Sequence, residues 1–294
     1  MKIKCIALDL DGTTLNSQGE LSERNRSAIE QAIEAGIQVA AASGRPLHSL
    51  PKALLEIPGV RYAVTSNGAA VYDLKEKTCL RQFKLETDAV DDILTITEAE
   101  FCASGCAHRT EDCAVYETFI DGRPYAERAY VEDPVRFGAS EQAVSYIQST
   151  RKPIDGMKDF IKSHRDVLDC IDIVVKSEEQ KQRLWKTLEK SIRNVYITSS
   201  VRQLLEISDV NAGKDSAVKF LIESLGIRRE ELAAFGDGHN DSGLLRFAGL
   251  GFAVENASAE CMAAADRITA SNDKDGVAEG IHYILVENEK NKEG

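Results

Sequence analysis

The chain carries two acids, Asp9 and Asp11, in the sequence Asp9-Leu10-Asp11-Gly12-Thr13 directly after the short apolar run Ile3–Leu8. The run predicts a buried strand, because apolar and β-branched residues follow one another without polar alternation. Side chains two apart on a strand point the same way, so the two acids should converge. Paired carboxylates are costly unless a cation compensates them or one holds a proton. The pair therefore suits a metal-bound nucleophile, Asp9, and a proton donor, Asp11, although Asp and Gly also form ordinary turns.

Polar groups also follow the next two predicted strands. Ser43-Gly44-Arg45 ends the second, where a hydroxyl and a glycine N–H form a natural phosphate cradle and Arg45 could reach a substrate. A helix cap before Pro46 explains Ser43 but neither Gly44 nor Arg45. The third strand ends in Ser66-Asn67-Gly68-Ala69, and because Asn-Gly is a strong hairpin signal, we interpret this segment first as a turn.

Two further polar segments lie towards the C-terminus. Lys214 lies just before a helix predicted over Ala217–Leu225, and the dipole at the start of a helix favours anions over a lysine. We interpret Lys214 as a group that offsets the charge of a transferring phosphoryl group, with a solvated lysine as the alternative. Asp237 lies between two glycines at the tip of another predicted strand, and carboxylates suit Mg²⁺. Asn240 and Asp241 follow it and could also cap the next helix.

The segments between these motifs predict an α/β fold with a doubly wound parallel sheet. Strands and helices alternate near the N-terminus, with a helix at Ser22–Ala35, and the same alternation returns near the C-terminus. Such sheets place ligands at the carboxyl ends of their strands, where the motifs should meet. We predict this core over residues 1–84 and 208–290, interrupted by an inserted α+β domain over residues 85–207.

The inserted domain has a different pattern of predicted elements. We expect a helix at Asp88–Glu100, hairpin strands around Cys106–Thr110 and Ala114–Phe119, and a long helix at Glu178–Ile192. Four potential zinc ligands lie close enough together in the sequence to suggest a zinc site: Cys102, Cys106, His108 and Cys113. Their spacing lacks the paired Cys-x-x-Cys pattern, so we do not favour it.

The amino-acid composition and charge argue against several classes of protein function. The 294 residues are 43% hydrophobic and 29% charged, which is typical of a globular protein, and the net charge of −12 argues against nucleic acid or an anionic membrane as a general partner. We expect neither a signal peptide nor a membrane span at the N-terminus, and the seven scattered cysteines favour reduced thiols in the cytoplasm. The sequence contains no P-loop or dinucleotide-binding motif. It leaves monomer and homodimer open.

These motifs together resemble the haloacid dehalogenase superfamily, and within it the Cof-type subgroup that carries the larger inserted α/β cap. The resemblance rests on DLDGT at 9–13, SGR at 43–45, SNGA at 66–69, GK at 213–214 and GDGHND at 236–241. It implies that Asp9 is the nucleophile that forms an aspartyl phosphate and that Asp11 is the general acid and base. It also implies a Mg²⁺ site and a phosphate site. The metal site would comprise Asp9, the Asp11 carbonyl and Asp237, with Asp241 in support; the phosphate site would comprise the Leu10 N–H, Ser43, Gly44, Lys214 and Asn240.

The resulting hypothesis is a magnesium-dependent phosphatase that acts on a small phosphorylated metabolite, such as a sugar phosphate or a flavin- or pyridoxal-type phosphate. In this family the inserted domain chooses the substrate. Glu255-Asn256-Ala257 departs from the Gly-Asn-Ala of many relatives, and its acid could alter the surroundings of the site or face solvent. A phosphomutase or phosphotransferase with the same nucleophile, or a non-catalytic regulatory protein, remains an alternative.

Overall fold

The computed structural model describes residues 2–103 and 114–293. The hairpin strand expected around Cys106–Thr110 and the candidate zinc ligands from Cys106 to Cys113 lie outside the described residues. The chain forms two compact units. The first comprises Met1–Arg45, Leu50–Arg81 and Gly213–Gly294, and the second comprises Pro46–Ser49 and Gln82–Ala212.

The described residues form fourteen strands, which are numbered in chain order. They are β1 (Cys5–Leu8), β2 (Gln38–Ala42), β3 (Val60–Thr65), β4 (Ala70–Asp73), β5 (Thr78–Gln82), β6 (Val115–Ile120), β7 (Arg123–Glu127), β8 (Lys152–Ile154), β9 (Leu168–Val174), β10 (Val195–Thr198), β11 (Leu204–Asp209), β12 (Leu232–Gly236), β13 (Leu250–Val254) and β14 (Arg267–Thr269). They form two sheets, one in each unit.

The helices are numbered in the same way. They are α1 (Glu23–Glu34), α2 (Lys52–Leu55), α3 (Thr87–Ala103), α4 (Arg128–Glu132), α5 (Val144–Thr150), α6 (Met157–Ser163), α7 (Glu178–Ser191), α8 (Lys214–Ser224), α9 (Ser242–Phe247), α10 (Ala259–Ala264) and α11 (Gly276–Glu293). None of the helices in the described ranges combines the length and the apolar composition that a membrane span requires.

The sheet of the first unit has the strand order β14-β13-β12-β1-β2-β3-β4-β5. Pairing is parallel from β14 to β3, and β4 returns antiparallel to β3. This confirms the predicted doubly wound α/β core and adds an antiparallel edge. Since β12, β1, β2 and β3 are neighbours and run in the same direction, their carboxyl ends share one edge of the sheet. The residues that follow these strands therefore come together.

Local sequence accounts for the first helix. The Ser22 hydroxyl accepts a hydrogen bond from the Asn25 N–H at 3.1 Å and so satisfies one of the free donors at the start of α1. Ile29 and Ala32 are buried at helical spacing. Gly36 follows the helix with a φ of 85°, a left-handed conformation that favours glycine. The helix predicted over Ser22–Ala35 is thereby confirmed.

The chain after Pro46 forms two short helical elements. It forms a 3₁₀ turn at Leu47–Ser49 and then the short helix α2. Pro51 precedes α2 with a φ of −63° and has no N–H to continue a helix from the turn, so it separates the two elements.

The sheet of the second unit has the order β10-β11-β9-β6-β7-β8. Helices α3, α6 and α7 contribute apolar side chains to a core against one face of this sheet. The α+β character and the helix predicted over Glu178–Ile192 are confirmed. Strand β8 was not predicted, because it is short and contains Pro153. Proline is tolerated in this strand because β8 lies at the edge of the sheet.

Three acids form a row across the second sheet, which we call the acid row. Asp172 on β9 pairs laterally with Glu117 on β6 and with Glu206 on β11, so the three side chains share one face. All three are buried. Arg151 Nε donates to Glu117 Oε2 at 3.0 Å, while Glu117 Oε1 is buried without a hydrogen-bond partner among the described residues.

Candidate active site

Asp9 follows β1 and is tied to the neighbouring strand, since its N–H donates to the Phe235 carbonyl at 3.1 Å. The chain then turns sharply through Leu10–Thr14, with a φ of 78° at Gly12. A Cβ at Gly12 would lie 2.6 Å from Asp237 Oδ2, so only glycine lets this turn approach Asp237 so closely. The turn therefore brings the first motif against the carboxyl end of β12.

Lys214 is the cation of the site. It is fully buried at the start of α8, and its Nζ lies 2.6 Å from Asp9 Oδ1 and 2.6 Å from Asp241 Oδ1. Burial alone would lower the pKa of Lys214, but the carboxylates of Asp241 and Asp9 outweigh burial and raise this pKa above its usual value. Lys214 is therefore a charged ammonium between two acids, and the alternative of a solvated lysine is wrong.

Three carboxylates face this single ammonium. One oxygen each of Asp9, Asp237 and Asp241 lies within 4.8 Å of the others. Burial, and then the charge of Asp241, raise the pKa of Asp9 well above its usual value, although Lys214 opposes the shift. Burial and Asp241 also raise the pKa of Asp237 to about 6. The cluster has more negative than positive charge, which a further proton or a divalent cation would relieve.

The carboxylates differ in the hydrogen bonds that they accept. Asp241 Oδ2 accepts the N–H groups of Asp237 and Gly238 at 3.1 and 3.0 Å, so Asp241 holds this loop while its other oxygen binds Lys214. Asp237 Oδ1 accepts from the Thr13 hydroxyl at 2.7 Å. Asp9 Oδ2 is buried, and no donor among the described residues reaches it. Asp241 thus has a supporting position, and Asp9 and Asp237 are left with oxygens available to a cation.

Asp11 departs from the predicted convergence with Asp9. Strand β1 ends at Leu8, so the alternation of side chains on a strand does not extend to Asp11. Its side chain is half exposed and binds Arg45, with Nε donating to Oδ2 at 2.7 Å and Nη2 donating to Oδ1 at 2.6 Å. The Asp11 carboxylate therefore binds Arg45 and is not part of the cluster of Asp9, Asp237 and Asp241.

Asn67 connects several of the predicted site residues. Its N–H donates to the Ser43 carbonyl at 3.1 Å, and its own carbonyl accepts from the Gly213 N–H at 2.9 Å. Its side-chain oxygen accepts from Asn240 Nδ2 at 2.9 Å. The predicted turn between β3 and β4 is present, but the φ of 52° at Asn67 also places a buried amide in the site. Sequence reasoning placed a functional role for this segment second, because Asn-Gly already explained the turn.

Ser43 and the segment at 255–257 have defined contacts. The buried Ser43 hydroxyl accepts from the Arg45 N–H at 3.1 Å. Asn256 Nδ2 donates to the Gly12 carbonyl at 2.8 Å and so braces the first motif, a contact that the sequence did not indicate. Glu255 is exposed and lies 3.5 Å from Lys274, so it faces solvent. The phosphate-binding roles of Ser43, Asn240 and the N–H groups of Leu10 and Gly44 stay predictions, as does metal binding by the Asp11 carbonyl.

Comparison with known proteins adds independent observations. A family model of haloacid dehalogenase-like hydrolases matches residues 6–281. Phosphatase YwpJ of Bacillus subtilis (strain 168) is 29% identical over 296 residues, covering 96% of this chain and 100% of that protein. The 5-amino-6-(5-phospho-D-ribitylamino)uracil phosphatase YwtE of the same organism is 29% identical over 290 residues, covering 96% and 98%. A solved haloacid dehalogenase-like hydrolase from B. subtilis is 28% identical, covers 95% and 99%, and has a TM-score of 0.79.

Proposed function

Because the chain belongs to the haloacid dehalogenase-like hydrolase family, as its motifs predicted, we propose that it is a magnesium-dependent phosphatase of a small phosphorylated metabolite. The observation that carries the proposal is the state of Asp9. One of its oxygens is held by the buried ammonium of Lys214, and the other is buried without a protein donor among the described residues. A carboxylate anchored on one side and uncommitted on the other is suited to nucleophilic attack.

The donor set fits a hard divalent cation. Mg²⁺ prefers carboxylate, carbonyl and water oxygens, and the cluster of Asp9, Asp237 and Asp241 supplies oxygens with excess negative charge. Asp9, Asp237 and the Asp11 carbonyl would hold the ion, with Asp241 in support through Lys214 and the loop N–H groups. When bound, Mg²⁺ would neutralise charge on the phosphoryl oxygens.

The reaction proceeds in two displacements. Asp9 attacks phosphorus, the bond from phosphorus to the ester oxygen breaks, and Asp11 gives that oxygen its proton. Asp11 then removes a proton from water, whose oxygen attacks phosphorus and releases Asp9. Lys214 stays within hydrogen-bond distance of Asp9 and offsets the negative charge that develops there. The predicted phosphate donors are the Leu10 N–H, Ser43, Gly44 and Asn240.

The substrate class is proposed from the relatives. YwtE is named for a phosphorylated ribitylamino compound, and its alignment with this chain includes both units. We therefore propose a sugar-like or cofactor-type phosphate monoester as the substrate and the second unit as the part that selects it. Transfer of the phosphoryl group to a second substrate would need the same Asp9 chemistry and differs only in the acceptor.

Phosphate release from a panel of phosphorylated metabolites, with Mg²⁺ and with EDTA, tests the proposal. We expect release that requires Mg²⁺ and is abolished in Asp9→Asn, because the nucleophile is lost. Asp155→Asn is the matched control, since Asp155 is exposed and pairs with Arg128 in the second unit. Release that persists in Asp9→Asn would overturn the mechanism. Transfer to an added sugar phosphate without phosphate release would favour the phosphotransferase alternative.

A further inference from the structure

The pair of Arg45 and Asp11 carries an inference that rests on the proposed function. We propose that Arg45 is a positioning residue that acts through Asp11: it fixes the Asp11 carboxylate for proton transfer and does not bind the phosphate. The sequence suggested direct contact of Arg45 with a substrate. The geometry of its side chain points instead to Asp11.

The contact is a two-point fork. Arg45 Nε and Nη2 lie 2.7 and 2.6 Å from the two different oxygens of Asp11. Two parallel N–H donors fix both the position and the plane of a carboxylate, which a single ammonium cannot do. The fork therefore sets the direction in which the Asp11 oxygens point.

Asp11 depends on this contact for its orientation. Its side chain is 49% exposed, and within the described residues all of its side-chain hydrogen bonds come from Arg45. An exposed carboxylate without such a partner would populate several rotamers. A proton donor and acceptor has to lie within hydrogen-bond reach of the reacting oxygen, so rotamer averaging would lower the rate.

Arg45 is itself held by the ends of two strands. Its N–H donates to the Ser43 hydroxyl at 3.1 Å, and its carbonyl accepts from the Ser66 N–H at 3.0 Å. Its side chain is only 10% exposed, so the guanidinium has little freedom. The ends of β2 and β3 thus determine where Arg45 lies, and Arg45 transmits that position to Asp11.

The same fork argues against phosphate binding by this edge of Arg45. Nε and Nη2 are both committed to Asp11, so a phosphate that took the same two donors would release the carboxylate. Buried Lys214 already supplies a cation beside Asp9.

The first arm of the test compares Arg45→Met and Arg45→Lys by phosphate release from an alkyl phosphate monoester, glycerol 2-phosphate, whose leaving oxygen needs a proton. Positioning predicts that both substitutions lower kcat by about 10²-fold, because Lys keeps the charge but not the fork. KM should stay within about threefold, and the inhibition constant of inorganic phosphate should be similarly unchanged. Two results would show that Arg45 binds phosphate and would overturn the inference. One is recovery of kcat in Arg45→Lys, and the other is a rise of about tenfold in both KM and the inhibition constant of inorganic phosphate.

The second arm combines Arg45→Met with Asp11→Asn. If Arg45 acts through Asp11, the double variant should be no slower than Asp11→Asn alone. An additional loss in the double variant would overturn the inference. If Asp11→Asn turns over too slowly to measure, the inference is tested by two other results. These are the comparison of Arg45→Lys with Arg45→Met and the inhibition constants of inorganic phosphate.

Arg61→Met is the matched control. Arg61 also forms a two-donor contact with an aspartate, Asp73, in the first unit. Its kcat should equal that of the wild type, which separates the loss of an arginine–aspartate pair in general from the loss of this one. Thermal unfolding of each variant shows whether it is folded. Absence of magnesium-dependent release in the wild type would refute the proposed function, whereas an active wild type with an unimpaired Arg45→Met would refute only the role of Arg45.

Discussion

Replacing Lys214 with methionine should destabilise the first unit in a way that depends on pH and on Mg²⁺. The substitution keeps a long unbranched side chain and removes the ammonium that lies 2.6 Å from both Asp9 Oδ1 and Asp241 Oδ1. Removing one partner of a buried ion pair costs about 3–5 kcal/mol, because the remaining charges are left buried without compensation. Here two carboxylates lose their cation at once, so we expect a value within that range at alkaline pH.

The pH dependence follows from proton uptake by the same acids. Burial, followed by Asp241, already raises the pKa of Asp9, and loss of Lys214 removes the opposing influence. The folded variant then holds a proton that the unfolded chain has released, so its stability falls as the pH rises from about 4 through the raised pKa. The free-energy loss should accordingly be larger at about pH 8 than at about pH 5.5.

Urea unfolding in EDTA, followed by circular dichroism at the two pH values, measures this loss. Lys219→Met is the control, since Lys219 is exposed on the same helix, α8, and the substitution should cost less than about 0.5 kcal/mol. Saturating Mg²⁺ should restore more stability to Lys214→Met than to the wild type, because it replaces the missing positive charge. Equal stability of the two proteins in EDTA at about pH 8 would refute the electrostatic reasoning.

Other substitutions test the metal site and the second unit. Gly12→Ala should raise the Mg²⁺ concentration needed for half-maximal phosphate release, because its Cβ would lie 2.6 Å from Asp237 Oδ2. Gly19→Ala is the control and should leave this concentration unchanged, because Gly19 has a similar φ of 76° and its Cβ would have no atom within 4 Å. Thr13→Val should raise the same concentration by roughly tenfold, since Asp237 loses a hydrogen bond of 2.7 Å, and an unchanged value would contradict the role of Thr13. In the acid row, burial and then the neighbouring acids raise the pKa of Asp172 well above its usual value. The folded protein therefore holds a proton that the unfolded chain releases, and stability should fall as the pH rises through the raised pKa. In urea unfolding, Asp172→Asn should reduce the change of the unfolding free energy with pH by at least about 1.4 kcal/mol, which corresponds to a tenfold change in an acid dissociation constant. An unaltered pH dependence would contradict this role of Asp172.

The sequence predicted the architecture and several of the residues that meet at the carboxyl edge of the sheet. Apolar runs and helical periodicity are local properties, so they were sufficient to predict the parallel core and the position of Asp9 after β1. The carboxyl ends of parallel strands share an edge, so the motifs after these strands were expected to meet. The cluster of Asp9, Asp237 and Asp241 agrees with that reasoning.

Side-chain partners were decided only by the tertiary structure. The fork between Arg45 and Asp11 joins residues 34 apart in the chain, and the contact of Lys214 with Asp9 joins residues 205 apart. Spacing along the chain places residues at an edge of the sheet, but it does not specify the rotamers or the hydrogen-bond geometry there. Asp11 shows the difference most clearly, since strand alternation predicted that it would face Asp9. Strand β1 ended too early for that rule to apply, and the carboxylate instead binds Arg45, which follows β2.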